Sequence, residues 1–512
     1  MDSVISTFFI TLFISVVLYY IIPLKYRWVI LLLASLGFYI ATGLHLLFFV
    51  CFTVITTYFC ALGLTKLDNT KTESTDPKKL KAKKKAVVAS TILVNLGIIA
   101  FLKYYNFFGN TLNMIAISAG GTSFMPTLKL FLPIGISFYT LQAIGYIVDV
   151  YRGKYPAEVQ FGKVALFLMF FPQIMEGPIA KYDQTADQLF EGHRLDYQNI
   201  TFGLQRILWG LFKKMIVADR LYLLVHTIVE SPSQYGGVAS LMYILLYTLQ
   251  LYADFSGFID MAIGSAEMFG IRLPENFRQP FFAKSAQEFW QRWHISLGIW
   301  LKEYVFYSVA LSPKVMKVCG AIKKKHKNHF TKSLSTLLAL LCVWLVNGIW
   351  HGAQWNYIVY GGYYFVIIAL GILLAPVFKT LMTKLKINPE SKWFNAFRHI
   401  RTLLIIFVGE AIFGANSMKD ACTILINMFK PWQGSIFSLG LDYKEFIIGI
   451  LGVIAIFAMD AVKEKKIEVR QGIAAQTLPL RWAIWLGLIF IVIVFGAYGG
   501  YYSLVPFIYG GF

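Results

Sequence analysis

Apolar residues fall in runs long enough to leave water behind, and polar residues gather in the short stretches between them. FFITLFISVVLYYIIPL, VVASTILVNLGIIAFL, YYFVIIALGILLAPVF and WAIWLGLIFIVIVFGAY can each supply the roughly 20 apolar residues that cross a ~30 Å hydrocarbon layer. Counting such runs predicts about 11 spans. A backbone in lipid must satisfy its own hydrogen bonds, so the spans are helices and the class is an all-α, polytopic membrane protein.

Basic residues orient the first spans. Lys25 and Arg27 separate the first two runs, so residues 28–42 return outward and residues 44–64 go back in. The lysine run of residues 66–86 then reads as a cytoplasmic loop. The opening MDSVIST carries an acid where a signal peptide has its basic region, and reads as the start of the first span. Residues 131–360 are richer in Gly, Pro and polar side chains than either end, the mark of helix breaks lining a cavity or of close helix approach. No repeat and no hydrophilic segment large enough for its own core appears. The expectation is one integral domain, residues 1–512, with its motifs in about 95–365.

Composition sharpens this picture at two points. Of 512 residues 57% are hydrophobic and only 14% charged, far from a soluble domain. The net charge of +20 would suit nucleic acid, but the lysines cluster in TESTDPKKLKAKKKA, KVMKVCGAIKKKHKNH and AVKEKKIEVR, each beside apolar spans. That is the pattern of loops facing an anionic leaflet, and no nucleic-acid partner is expected. Cys51, Cys60, Cys319, Cys342 and Cys422 form no CxxC pair and suggest neither disulfide framework nor metal site.

Among eight histidines, most read as ordinary. His326 and His329 sit among lysines, His193 and His399 in charged stretches, all as solvated residues, while His45 and His226 lie near span ends. His294, in FWQRWHISLGIWLKEY, and His351, in VNGIWHGAQW, are different. An ionisable side chain within a membrane domain marks a functional site by default. A helix continuing through His351 places Asn347 one turn back on the same face. A buried, neutral imidazole can take the proton of an attacking hydroxyl and return it to the leaving group. A second polar group must then meet the developing oxyanion or fix the ring's tautomer, and His294 and Asn347 are the candidates. There is no GxSxG elbow, HExxH, or glycine-rich loop ending in GK[ST].

FWQRWHISLGIWLKEYVF, followed 57 residues after its histidine by WHG, resembles the membrane-bound O-acyltransferase family. FLPIGISFYTLQAIGYIVDVYRGK, FFPQIMEGPIAKY and DFSGFIDMAIGSAEMFG resemble its bacterial branch of alginate O-acetylases and teichoic-acid D-alanyl transfer proteins. The resemblance implies a ring of helices with re-entrant segments around a thinned centre and a tunnel joining the two faces. It implies that His351 is catalytic and that His294, on a cytoplasm-facing segment, is the second site histidine, with Asn347 and Arg292 in support. Arg292 and Lys302 would draw the phosphates of coenzyme A, or an acidic carrier, to the inner mouth.

The ending PFIYGGF resembles acetylase-like members, which implies acetyl transfer from cytoplasmic acetyl-CoA, a donor substrate rather than a bound cofactor, to an extracellular or cell-wall polysaccharide. It also implies a bacterial plasma membrane and an extracytoplasmic partner protein, secreted or membrane-tethered, that carries the acyl group onward. The apolar tail Tyr501–Phe512 would help to dock that partner, or else pack back on its own helices. D-alanyl transfer from a carrier protein remains the alternative within the family. A polysaccharide or lipid transporter is the alternative outside it, against which stands the lack of inverted halves. Glu176 stands before GPI where the family suggests a small residue; it either lines the tunnel or pairs with a lysine such as Lys181.

Overall fold

The computed structural model describes residues 3–70, 76–174 and 176–498, and no strand occurs among them. The tail Tyr501–Phe512 lies outside the described residues. Among the described residues, eight helices are long and apolar enough to cross a membrane, or nine if the bent pair Ile295–Ala310 and Pro313–Lys325 counts as one span. The 11 spans expected from sequence are not reached by this count. One reason is that two very long helices are counted once each.

The described chain divides into two compact units, residues 3–207 with 259–274, and residues 208–258 with 275–498. The first unit begins with α1 (Ser3–Ile21), α2 (Arg27–Asn69), α3 (Pro77–Ser118) and α4 (Ile136–Tyr151). At 1.5 Å per residue the 43 residues of α2 reach about 64 Å, twice a hydrocarbon thickness. Gly43, at φ 156° and ψ 109°, breaks α2 where the sequence places the turn between its second and third spans. The lysine run is a correction. From Pro77 onward it is helix rather than loop, because Pro77 fits the first turn and the Asp76 carboxylate accepts from Lys78 N at 2.8 Å. Lys84 then pairs with Asp68 at the end of α2 (2.7 Å). Glu176 is buried in this unit.

The second unit holds the Gly237–Phe258 part of α5 (Gly237–Glu267), then α6 (Ala286–Arg292), α7 (Ile295–Trp300), α8 (His329–His351), α9 (Trp355–Leu373), α10 (Lys392–Gly414) and α11 (Tyr443–Glu464). Side chains start several of them. Asn328 accepts from Thr331 N (2.9 Å), and Asp442 accepts from Lys444 N and Glu445 N (2.8 and 2.9 Å).

Helices α8 and α9 form a tight hairpin linked by residues 352–354. Their backbones touch: a Cβ on Gly348 would lie 2.5 Å from Tyr357 O, and one on Gly361 would run into Trp344 O. Small residues at such a seam let dispersion act between main chains where lipid offers no hydrophobic drive.

A buried ionic cluster ties α5 to the π-helical turn Lys213–Ala218. Lys214 Nζ lies 2.7 Å from Asp254 Oδ1 and 2.9 Å from Asp219 Oδ1, and Lys213 donates to Ser256 Oγ at 3.1 Å. Arg220 caps the π turn through Met215 O and Ile216 O (2.9 and 3.2 Å) and pairs with Glu445 of α11 (2.6 Å). Asp254 opens the DFSGF motif, so part of that motif's work is to neutralise a lysine deep in the unit.

Candidate active site

His351 is the last residue of α8, with Asn347 one turn before it; both are buried. Aromatic rings enclose the imidazole edge to face. Trp350 and Phe413 each lie 4.9 Å away by ring centroid, and Tyr360 lies 5.9 Å away. The glycine of WHG has a steric reason: a Cβ on Gly352 would run into the Tyr357 ring. Phe413 is held in place from α9, where Asn356 Nδ2 donates to the carbonyls of Ala415, Phe413 and Ile412 at 2.9, 3.3 and 3.4 Å.

His294 sits between α6 and α7 with φ 47° and ψ 52°, a left-handed conformation that costs a β-carbon residue energy. Asn276 holds it there. Its Oδ1 accepts from Ser296 N (3.0 Å) and Ser296 Oγ (2.9 Å), and its own carbonyl accepts from Ile295 N (3.0 Å). Because a backbone N–H can only donate, the Asn276 atom at the centre is oxygen. His294 Nδ1, 3.3 Å from the same oxygen, is therefore the protonated nitrogen, and Nε2 is the ring's acceptor. Phe255 packs edge-on against this ring at 4.9 Å.

One indole joins the two histidines. Trp350 touches His294 at 5.7 Å and His351 at 4.9 Å, so residues 57 positions apart in sequence share a wall. Asn276, Tyr360 and Phe413 were not singled out in the sequence. Asn276 stood in a loop of ordinary polarity, and the two aromatics were lost among many.

Arg292 is engaged otherwise than expected. Its guanidinium grips Glu464 through two bonds (2.7 and 3.1 Å) and also meets Glu288 at 2.8 Å, fastening α6 to α11. Lys302 is exposed in the π-helical turn Leu301–Phe306, its ammonium 6.0 Å from the Tyr307 ring. Two histidines expected to be solvated are half-buried. His193 Nε2 bonds Gln188 O, in the helix just before it, at 2.8 Å, and His399 Nδ1 donates to Ala283 O at 3.2 Å. His326 closes a helix, and His329 Nε2 lies 2.9 Å from Ile372 O.

The left-handed conformation at His294 separates a chemical from a structural role. His294→Gly keeps the backbone at no steric cost while removing the ring. Acyl transfer is expected to fall about as far in His294→Gly as in His294→Ala, by ~10-fold or more. Full activity in the glycine variant, measured per folded protein, would leave His294 a structural part only.

A buried histidine at a helix end and a second in a fixed tautomer thus share one indole, in a chain with eight or more long apolar helices among its described residues. The chain belongs to the membrane-bound O-acyltransferase (MBOAT) family, whose profile matches residues 156–407. It is an O-acyltransferase and a multi-pass protein of the bacterial cell membrane. It is 33% identical over 423 residues to the probable alginate O-acetylase AlgI of Azotobacter vinelandii, covering 82% of this chain and 76% of that protein. It is 30% identical over 443 residues to the peptidoglycan O-acetyltransferase of Helicobacter pylori, covering 81% and 76%. To the teichoic acid D-alanyltransferase of Bacillus subtilis it is 28% identical over 285 residues, 55% of this chain and 68% of that protein.

Proposed function

We propose that this protein moves an acetyl group from cytoplasmic acetyl-CoA through the membrane for O-acetylation of an extracellular or cell-wall polysaccharide. The observation that carries the reading is the pair of buried imidazoles on the Trp350 indole, with His351 at the end of α8. His351 takes the proton of the acceptor hydroxyl as its oxygen attacks the thioester carbonyl. When the carbon–sulfur bond breaks, the imidazolium returns that proton to the departing thiolate. His294 and Asn347 stand near as polar supports. Similarity extends over more of the chain for the two relatives named as O-acetylating proteins than for the D-alanyltransferase, which supports acetyl as the group moved.

A polymer strand is poorly suited to entering a buried site, so an extracytoplasmic partner protein would accept the acetyl group and pass it to the sugar. Purified protein in vesicles tests the whole reading. Acetyl-CoA should be consumed when the partner is present, and polymer should be acetylated only then. Intact acetyl-CoA would mean a transporter, and consumption of a D-alanyl carrier thioester instead would mean D-alanyl transfer. Efficient acetylation of polymer by this chain alone would remove the partner.

A further inference from the structure

Helix α10 carries a carboxyl group in an otherwise apolar stretch, TLLIIFVGEAIFG. Glu410 is 1% exposed, and no cation pairs with it among the described residues. Instead one of its oxygens, Oε1, accepts from two phenols of α9, Tyr364 at 3.3 Å and Tyr360 at 3.4 Å. The chain makes room for this. A Cβ on Gly409 would run into the Tyr364 hydroxyl, so the residue beside the acid is kept small where the phenol crosses the helix. Trp290 of the FWQRWH motif packs on the same layer, 4.8 Å from Tyr364 and 6.1 Å from Tyr360. Tyr360 in turn stands edge-on to His351 at 5.9 Å, and both rings touch Phe413, at 5.0 and 4.9 Å.

An acid in such a place is costly unless it is used. We propose that Glu410 is a positioning residue for acyl transfer, holding Tyr360 against the His351 ring. The inference rests on His351 being the base of the proposed reaction. Glu410 touches neither donor nor acceptor; it acts through Tyr360. By fixing Tyr360 it keeps the imidazole turned toward the hydroxyl whose proton it takes, and so lowers the barrier without holding substrate more tightly.

The test compares Glu410→Leu, Tyr360→Phe and the double variant in vesicles, following acetyl-CoA consumption with the partner protein present. Glu410→Leu keeps most of the volume and removes the acceptor; Tyr360→Phe removes a single oxygen and keeps the ring. Each should lower kcat by about ten-fold or more with KM for acetyl-CoA unchanged. The double variant should be no slower than the slower single one, since both cut the same link. Wild-type kcat in Glu410→Leu, a loss seen only in KM, or losses that multiply in the double variant would overturn the proposal. If Glu410→Leu fails to insert, Tyr360→Phe with normal kcat overturns it by itself. Failure of the underlying reading looks different: wild-type protein would leave acetyl-CoA intact, or His351→Ala would remain active.

Discussion

His351→Ala is expected to abolish acyl transfer while the protein still inserts and purifies. Losing a general base typically costs ~10²–10⁴ in rate. The fold has little reason to fail with it. His351 closes α8 rather than crossing its middle, and alanine is the best helix former. The tight contacts of the hairpin run through Gly348 and Gly361, which the change leaves alone. What goes is one ring from the group formed with Trp350, Phe413 and Tyr360. Polymer acetylation per amount of membrane-inserted protein is the measurement, with thermal unfolding in detergent as the control. Near-normal acetylation would remove His351 from the centre of the site.

Asp254→Ala is expected to act in the opposite way, on the fold. Lys214 and Asp254 are both buried, and their charges lie 2.7 Å apart. Taking away one partner of a buried pair costs about 3–5 kcal/mol, because the other charge stays desolvated. Asp219, 2.9 Å from the same ammonium, remains but cannot replace what is lost from α5. The variant should therefore give little folded protein and a much lower unfolding midpoint. Replacing all three charged groups, Lys214→Met with Asp254→Leu and Asp219→Leu, should recover most of the loss, since no unpaired charge is then left buried. A single Asp254→Ala variant as stable as the wild type would show that the lysine finds compensation elsewhere.

Much of the class and part of the site were legible in the chain itself. Span-length apolar runs and flanking lysines identify a membrane protein, and even the break at Gly43 falls where those runs divide. His294 and His351 stood out because imidazoles are rare among such runs. Local sequence also placed Asn347 correctly, since one helical turn is a local fact.

The partners of those residues were not legible, because each comes from far along the chain. Arg292 looked like a free cation for phosphates; its companion Glu464 lies 172 positions later, at the end of another helix. Phe413 and Glu410 reach the His351 layer only through the packing of α9 and α10, and nothing in the VNGIWHGAQW stretch points to them. The lysine run failed as a loop for a different reason. Charge reports which side of the membrane a segment faces, and a helix with a sound N-cap can carry that charge into water as well as a loop can.

The glycine seam between α8 and α9 bears on how the molecule is made. The two helices are joined by only residues 352–354, so their pairing needs no distant segment and closes little chain entropy. The hairpin should zip up soon after Leu373 leaves the insertion machinery, setting His351 and Tyr360 together before α10 exists. Phe413 and Glu410 then arrive as a lid of later-made chain on a histidine already in position. A chain halted between α9 and α10 should thus display a closed seam to crosslinking across the Gly348–Gly361 level, yet have no chemistry to offer.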